Sequence, residues 1–245
     1  MKLLQKIYLL VILLCAFQYS YAQTTSPVPL ETDWNRIYIK DIGFFDLPPT
    51  MEVQKGKYKE YIDKLAPLPA FLMGWKVPPR RSLEFNALYL AGKLLYGGDS
   101  ARLYQKLVKG EESVTQLFGF TDERRGPSGI IIGAIPKPDK DLEKIREVIV
   151  SEIRDMAANG PTEDEMAKLR NQLINLGVRS NQSSLSRAQN IAEYALYDGD
   201  PNLVNSEIET LLEITADQIR DAVDKYLNTE NRSLLDIVPA SEANQ

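Results

Sequence analysis

The apolar positions of this chain are organised around one stretch, residues 66–116. Residues 70–77, AFLMGWKV, form a largely apolar run that predicts a buried strand. Pro78 and Pro79 break it, and Ser82 is a good N-cap for a helix that buries Leu83, Ala87, Leu90, Ala91 and Leu94 at helical spacing. Gly97 and Gly98 stop that helix. Asp99 or Ser100 then caps a second helix, which carries Arg102, Leu103 and Tyr104 and runs to about Lys109.

On the N-terminal side, residues 58–62 alternate with charges and predict a strand, while Pro67 and Pro69 hold the entry to the buried strand extended. On the C-terminal side, 114–121 and 129–135 read as two strands joined by a charged turn. Asp139 opens a long helix with the stripe Leu142, Ile145, Ile149, Ile153 and Met156, and Asn159-Gly160-Pro161 ends it. Thr162 with Glu165 forms a capping box, with Met166, Leu169 and Leu173 behind it. The helical pattern continues through Tyr197, breaks at Asp198-Gly199-Asp200-Pro201, and resumes to Leu212. Thr215 and Gln218 make a second capping box whose helix ends near Asn228, and 233–238 is a closing strand. Strands and helices cluster rather than alternate strictly. That pattern predicts an α+β domain, with helices layered on a largely antiparallel sheet.

The N-terminus follows another rule. Lys2 and Lys6 precede the apolar run 7–17, and Ser20-Tyr21-Ala22 is a small-x-small pattern suited to cleavage before Gln23. The run is too short to span a bilayer, so residues 1–22 read as a cleaved secretory signal peptide and the protein as exported, periplasmic or extracellular. Lipoprotein processing at Cys15 is the weaker alternative, because Leu13 and Leu14 stand where small residues are wanted. Residues 23–57 contain Pro27, Pro29, Pro48 and Pro49 and read as an extended lead-in segment. The folded domain is expected over 58–240, followed by a tail at 241–245.

Composition then removes functions. Loss of Lys2 and Lys6 with the signal lowers the formal net charge from −5 to −7, which disfavours nucleic-acid binding. No other apolar segment is long enough to cross a membrane. The single cysteine leaves with the signal, and the chain has no histidine. A zinc site built from the usual nitrogen and sulfur ligands cannot form, nor can serine catalysis with a histidine base. A Ser-Lys alternative finds no S-x-x-K spacing.

The positive candidates are few. Asp198-Gly199-Asp200 has too few ligands for calcium and reads as a helix–helix turn. Gly126-Pro127-Ser128-Gly129 reads as a tight turn between strands rather than a KH-type loop. Residues 122–125, DERR, form a solvated loop tip, and Tyr194 and Tyr197 are spaced as a packing face of a helix. Gly97-Gly98-Asp99-Ser100 is either a helix–helix turn or a cradle whose open amides meet a carbonyl or an anion.

Several strings, in order, resemble the peptidase M16 family, which includes pitrilysin, insulin-degrading enzyme and the mitochondrial processing peptidases. They are APLPA at 66–70 leading to GWKVP at 74–78, LLYGGDSARLYQ at 94–105, GPTEDEM at 160–166, ITADQI at 214–219, and Val238-Pro239. The resemblance covers roughly residues 57–240 and is to the C-terminal, metal-free half-domain of the family. It implies a chamber wall completed by a second polypeptide that bears the H-x-x-E-H zinc site and binds unfolded peptides, in a hetero-oligomer or homodimer. Zinc is implied only in that partner. The glycine-rich loop of the non-catalytic processing-peptidase subunit corresponds to Gly97 and Gly98, here in a much shorter loop. The family's substrate-holding Arg, and the Tyr seven residues on, fall by count on Val108 and Thr115, which supply neither charge nor phenol. Lys109 is the candidate substitute cation. The degenerate pair also admits a different reading, a binding or scaffold module of this fold with no peptidase role.

Overall fold

The computed structural model describes residues 57–240 apart from Asn181. The predicted signal peptide, the lead-in segment and the C-terminal tail lie outside the described residues. Five strands form one sheet: β1 (Tyr58–Asp63), β2 (Ala70–Val77), β3 (Val114–Asp122), β4 (Ser128–Pro136) and β5 (Arg232–Pro239). Their order across the sheet is β1-β5-β2-β4-β3; β1 runs parallel to β5 and every other pairing is antiparallel. The α+β expectation holds.

Strict alternation of burial sets the layers. Along β2, Phe71, Met73, Trp75 and Val77 are buried while Ala70, Leu72, Gly74 and Lys76 are half-buried, as period-two side-chain direction requires. The register places Ala134, Ile132 and Ile130 of β4 opposite Phe71, Met73 and Trp75, so all six share one face. That face is covered by α1 (Leu83–Tyr96), α2 (Leu142–Asn159) and α6 (Ala216–Tyr226), with α6 packed against both others. Ile145, Ile149, Ile153 and Met156 of α2 recur every three or four residues and close one core with Leu88, Leu95, Ile219 and Val223. A second helical group, α3 (Glu163–Ser180), α4 (Ser184–Glu193) and α5 (Leu203–Leu212), packs beside α1.

The caps show where local chemistry sufficed. Ser82 accepts from the Phe85 amide, and both capping boxes form: Thr162 with Glu165, and Thr215 with Gln218. Other expectations are corrected. Leu83 is 53% exposed, because at the first helical position it points away from the core that Phe85 and Leu88 enter instead. The N-cap of α2 is Asp141, whose carboxylate accepts from the amides of Glu143 and Lys144, while Asp139 sits in a preceding turn at φ 69. No side chain caps the helix after Gly98. It winds as a π-helix over Tyr104–Gly110, without a hydrogen-bonded cap from Asp99 or Ser100. The helical run to Tyr197 is interrupted where Ser183 starts α4 afresh by accepting from the Ser186 amide. A further π segment, Tyr194–Asp198, follows and ends at left-handed Gly199.

Candidate functional site

The face of the sheet opposite the helices lies outside the core cluster. Leu72 of β2 lies across from Leu235 on one side and Gly133 on the other, and Gly133 lies across from Phe118. One step along, Ile131 sits between Gly74 and Phe120; at the other end Ile237 sits between Ala70 and Tyr61. The Phe118 ring lies across Gly133, where a Cβ would collide with it. Phe120 and Tyr61 are 50% and 55% exposed. Leu72, Ile131, Ile135, Phe118, Leu235 and Ile237 are half-buried, and none joins the core cluster formed on the other face. Among the described residues this is a continuous apolar surface without a layer over it.

The residues singled out in the sequence fall on three successive elements: the turn after α1, the π-helix Tyr104–Gly110 and the start of β3. The Gly97 amide donates to the Lys93 carbonyl at 3.2 Å and the Gly98 amide to the Tyr96 carbonyl at 3.0 Å. The amides expected to stay open are therefore engaged within the turn. Gly98 has φ +103, and a Cβ at Gly97 would fall 2.5 Å from the Lys93 carbonyl oxygen, so the turn needs both glycines for steric reasons. The Gln105 side chain donates to the Asp99 carbonyl and Lys168 donates to the Ser100 carbonyl, tying the turn to the π-helix and to α3.

Val108 packs against the core, and Lys109 is exposed with its Nζ 5.8 Å from the centre of the Tyr104 ring. Thr115 occupies the bulge between Val114 and Gln116, where its hydroxyl donates to the Pro136 carbonyl at 3.2 Å. Among the described residues no hydrogen bond joins Gly97 or Gly98 to Lys109 or Thr115. Arg102 of the Arg-Leu-Tyr string has a structural task. It meets both oxygens of Glu165 at 2.6 and 2.7 Å, Asp155 at 2.8 Å and the Gly160 carbonyl at 3.3 Å. These donors hold the Glu165 carboxyl below the usual carboxylate range.

A second polar cluster has no local signature. Arg80 reaches Glu193 and Asp198, and Arg81 reaches Glu207 at 2.5 Å and sits 4.5 Å above the Tyr194 ring. The Tyr194 hydroxyl donates to Glu207; burial, then that bond, pushes the phenol up to about 12. A phenol so placed is not a base at neutral pH. The cluster joins the β2–α1 link to the α4–α5 hairpin, and its partners lie more than a hundred residues apart in sequence, beyond any motif. Glu123 of the β3–β4 turn lines the same cleft, and desolvation there, aided by Glu207 and Glu193, raises its carboxyl although the side chain still reaches the surface.

Zinc does not fit this chain. The sequence has no histidine, and the described residues include no group of three or more His, Cys, Asp or Glu able to hold a metal ion.

Comparison with curated proteins gives no match. Solved structures do match. A protease from Helicobacter pylori superposes with a TM-score of 0.71 at 20% identity, over 77% of this chain and 45% of that one. The inactive peptidase domain of a zinc protease candidate from Bordetella parapertussis superposes with a TM-score of 0.63 at 21% identity, over 73% of this chain and 95% of that one. The periplasmic protease PqqL from Escherichia coli gives a TM-score of 0.63 at 13% identity, over 78% of this chain and 21% of that one. The chain thus spans less than half of the Helicobacter protein and nearly the whole of the Bordetella domain. The family model for the peptidase M16 inactive domain matches residues 33–173, more than half of the chain, and the protein belongs to that family.

Proposed function

We propose that this protein is a non-catalytic subunit of an exported M16 peptidase, its uncovered sheet face forming one wall of a chamber for unfolded peptides. The observation that carries the reading is the apolar face itself, with Phe120 exposed and Phe118, Ile131 and Leu72 half-buried outside a core that is complete without them. The hydrolytic centre, with zinc and an H-x-x-E-H motif, belongs to a separate chain that closes over this face. The coverage of less than half of the Helicobacter protease supports a missing counterpart. In this reading Gly97, Gly98 and Lys109 are peptide contacts, made through the glycine carbonyls and the ammonium rather than through the glycine amides. The lysines ahead of the apolar run 7–17 support export, as does likeness to a periplasmic protease.

The test is reconstitution. Alone, the purified protein is expected to bind no zinc and cleave nothing; mixed with an exported H-x-x-E-H protein from the same cell, it should raise that protein's chelator-sensitive peptidase activity at least tenfold. Ile131→Asp should abolish the increase while the variant stays folded. Zinc-dependent cleavage by the pure single chain would end this reading.

One observation favours a second reading, a scaffold of this fold without a peptidase role. At Val108 and Thr115, where the resemblance puts the substrate-holding pair, Val108 packs half-buried against the core and Thr115, though exposed, has its hydroxyl engaged on the Pro136 carbonyl. Recovery from cells in an assembly free of any peptidase would establish it.

A further inference from the structure

On the helical side of the sheet, away from the uncovered face, a groove of about 120 Å³ lies between α2, α6 and the start of β5. We propose that this groove is a docking site for the C-terminal residue of a polypeptide, with the apolar side chain inserted and the free carboxylate held by Arg154 and Arg232.

The floor is apolar and fixed. Trp75, Ile153, Val223 and Leu227 line it, all four nearly closed to solvent. The Trp75 indole Nε1 donates to the Asn228 carbonyl at 3.0 Å, and the Asn231 amide donates to the carbonyls of Lys76 and Tyr226, each at 2.8 Å. The loop after α6, one wall of the groove, is therefore anchored at both ends before any ligand arrives, which lowers the ordering cost of binding. Apolar cavities of about 150 Å³ accept a benzene-sized group. A leucine or phenylalanine side chain matches that scale, whereas a folded helix or a long acyl chain does not.

The lining carries charge of a definite kind. The β2–β5 register sets Arg232 directly opposite Trp75, hence on the same face of the sheet. Arg154 lines the groove from α2. Neither guanidinium has an ion pair or hydrogen bond to another described residue, whereas Arg80, Arg81, Arg102, Arg146 and Arg220 are each paired with carboxylates. Two guanidiniums without a described partner on an acidic chain, beside an apolar-floored groove, fit a carboxylate. Asp224 stands in the same lining and has a twofold effect. It repels a second negative charge and offers an acceptor to the ligand's peptide N–H. An apolar side chain, one carboxylate and an N–H on the same unit define a C-terminal amino acid.

The test uses the full ¹⁵N-labelled protein and follows the Trp75 indole N–H signal, identified by its loss in Trp75→Phe. N-acetyl-Ala-Phe with a free carboxylate should shift the signal saturably. The same peptide as its C-terminal amide, and N-acetyl-Ala-Gly with a free carboxylate, should bind at least tenfold more weakly. Arg154→Gln, an exposed and conservative change, should weaken the acid at least fivefold and leave the amide unaffected; Arg232→Gln should do the same. Equal binding of acid and amide overturns the proposal, and so does a stronger response to dodecanoate than to the peptide acid. Absence of any shift up to about 10 mM peptide overturns it as well. None of these outcomes depends on the chamber reading, which concerns the opposite face.

Discussion

The two faces of the sheet are built from much the same kinds of residue and are used in opposite ways. On one, Phe71, Met73, Trp75 and Val77 are between 0% and 3% exposed beneath α1, α2 and α6; on the other, Leu72, Ile131, Phe118 and Phe120 have no layer of described residues above them. The same strand supplies both sets in alternation. Burial stabilises by roughly 25 cal/mol for each Å² of apolar surface withdrawn from water, so the first face accounts for the domain's folding and the second forgoes that stabilisation. The difference teaches that the residues that build the core and those left outside it are separated by the thickness of one backbone, so mutations can address either set alone.

The sharpest break of that comparison is the neighbouring pair Phe71→Ala and Leu72→Ala. The first should cost about 3–5 kcal/mol in urea unfolding, the second less than about 1.5; similar losses would show that the second face is covered in solution. Next in size is Arg102→Ala, which strips Glu165 and Asp155 of their partner at the edge of the covered side. It should cost about 2 kcal/mol, and a loss equal to that of Phe71→Ala would put this polar tie on a par with the core. On the uncovered face, Ile131→Asp should change the unfolding free energy measured in urea by less than about 1 kcal/mol. A larger shift would mean that the exposed face supports the fold.

Acid sharpens the Arg102 result. The Glu165 carboxyl is held down in the folded protein by its hydrogen bonds to Arg102, so its contribution is full above the unfolded value of roughly 4.3 and is lost as pH falls through the lower folded value. Glu165→Gln should therefore be less stable than the parent at pH 7, and the gap should close progressively in urea titrations below about pH 4.3. The smallest effect is expected off both faces. Asp139 holds φ 69 with no hydrogen bond from its side chain, and Asp139→Gly should gain about 0.5 kcal/mol in thermal unfolding.

Much of the fold was legible because its signals are local. Ser82, Thr162 and Thr215 cap helices through contacts three residues away, the stripe from Ile145 to Met156 is periodic, and the strand at 70–77 is bounded by prolines. Where neighbours compete, local reading slipped: Asp139 and Asp141 both precede the same helix, and only the direction of the backbone selects Asp141. The Gly97-Gly98 pair showed a turn but not the fate of its amides, which fold back onto Lys93 and Tyr96.

The sequence by itself determined the α+β class, the lack of histidine for the usual zinc site, and the resemblance that the family match then established. Only the tertiary structure decided which of two equally apolar strand faces is core. A period of two says that side chains alternate, and says nothing about the side on which helices will land. It also decided that Arg80 and Arg81 meet Glu193, Asp198 and Glu207, because ion pairs between groups a hundred residues apart are fixed by chain packing and leave no trace in spacing.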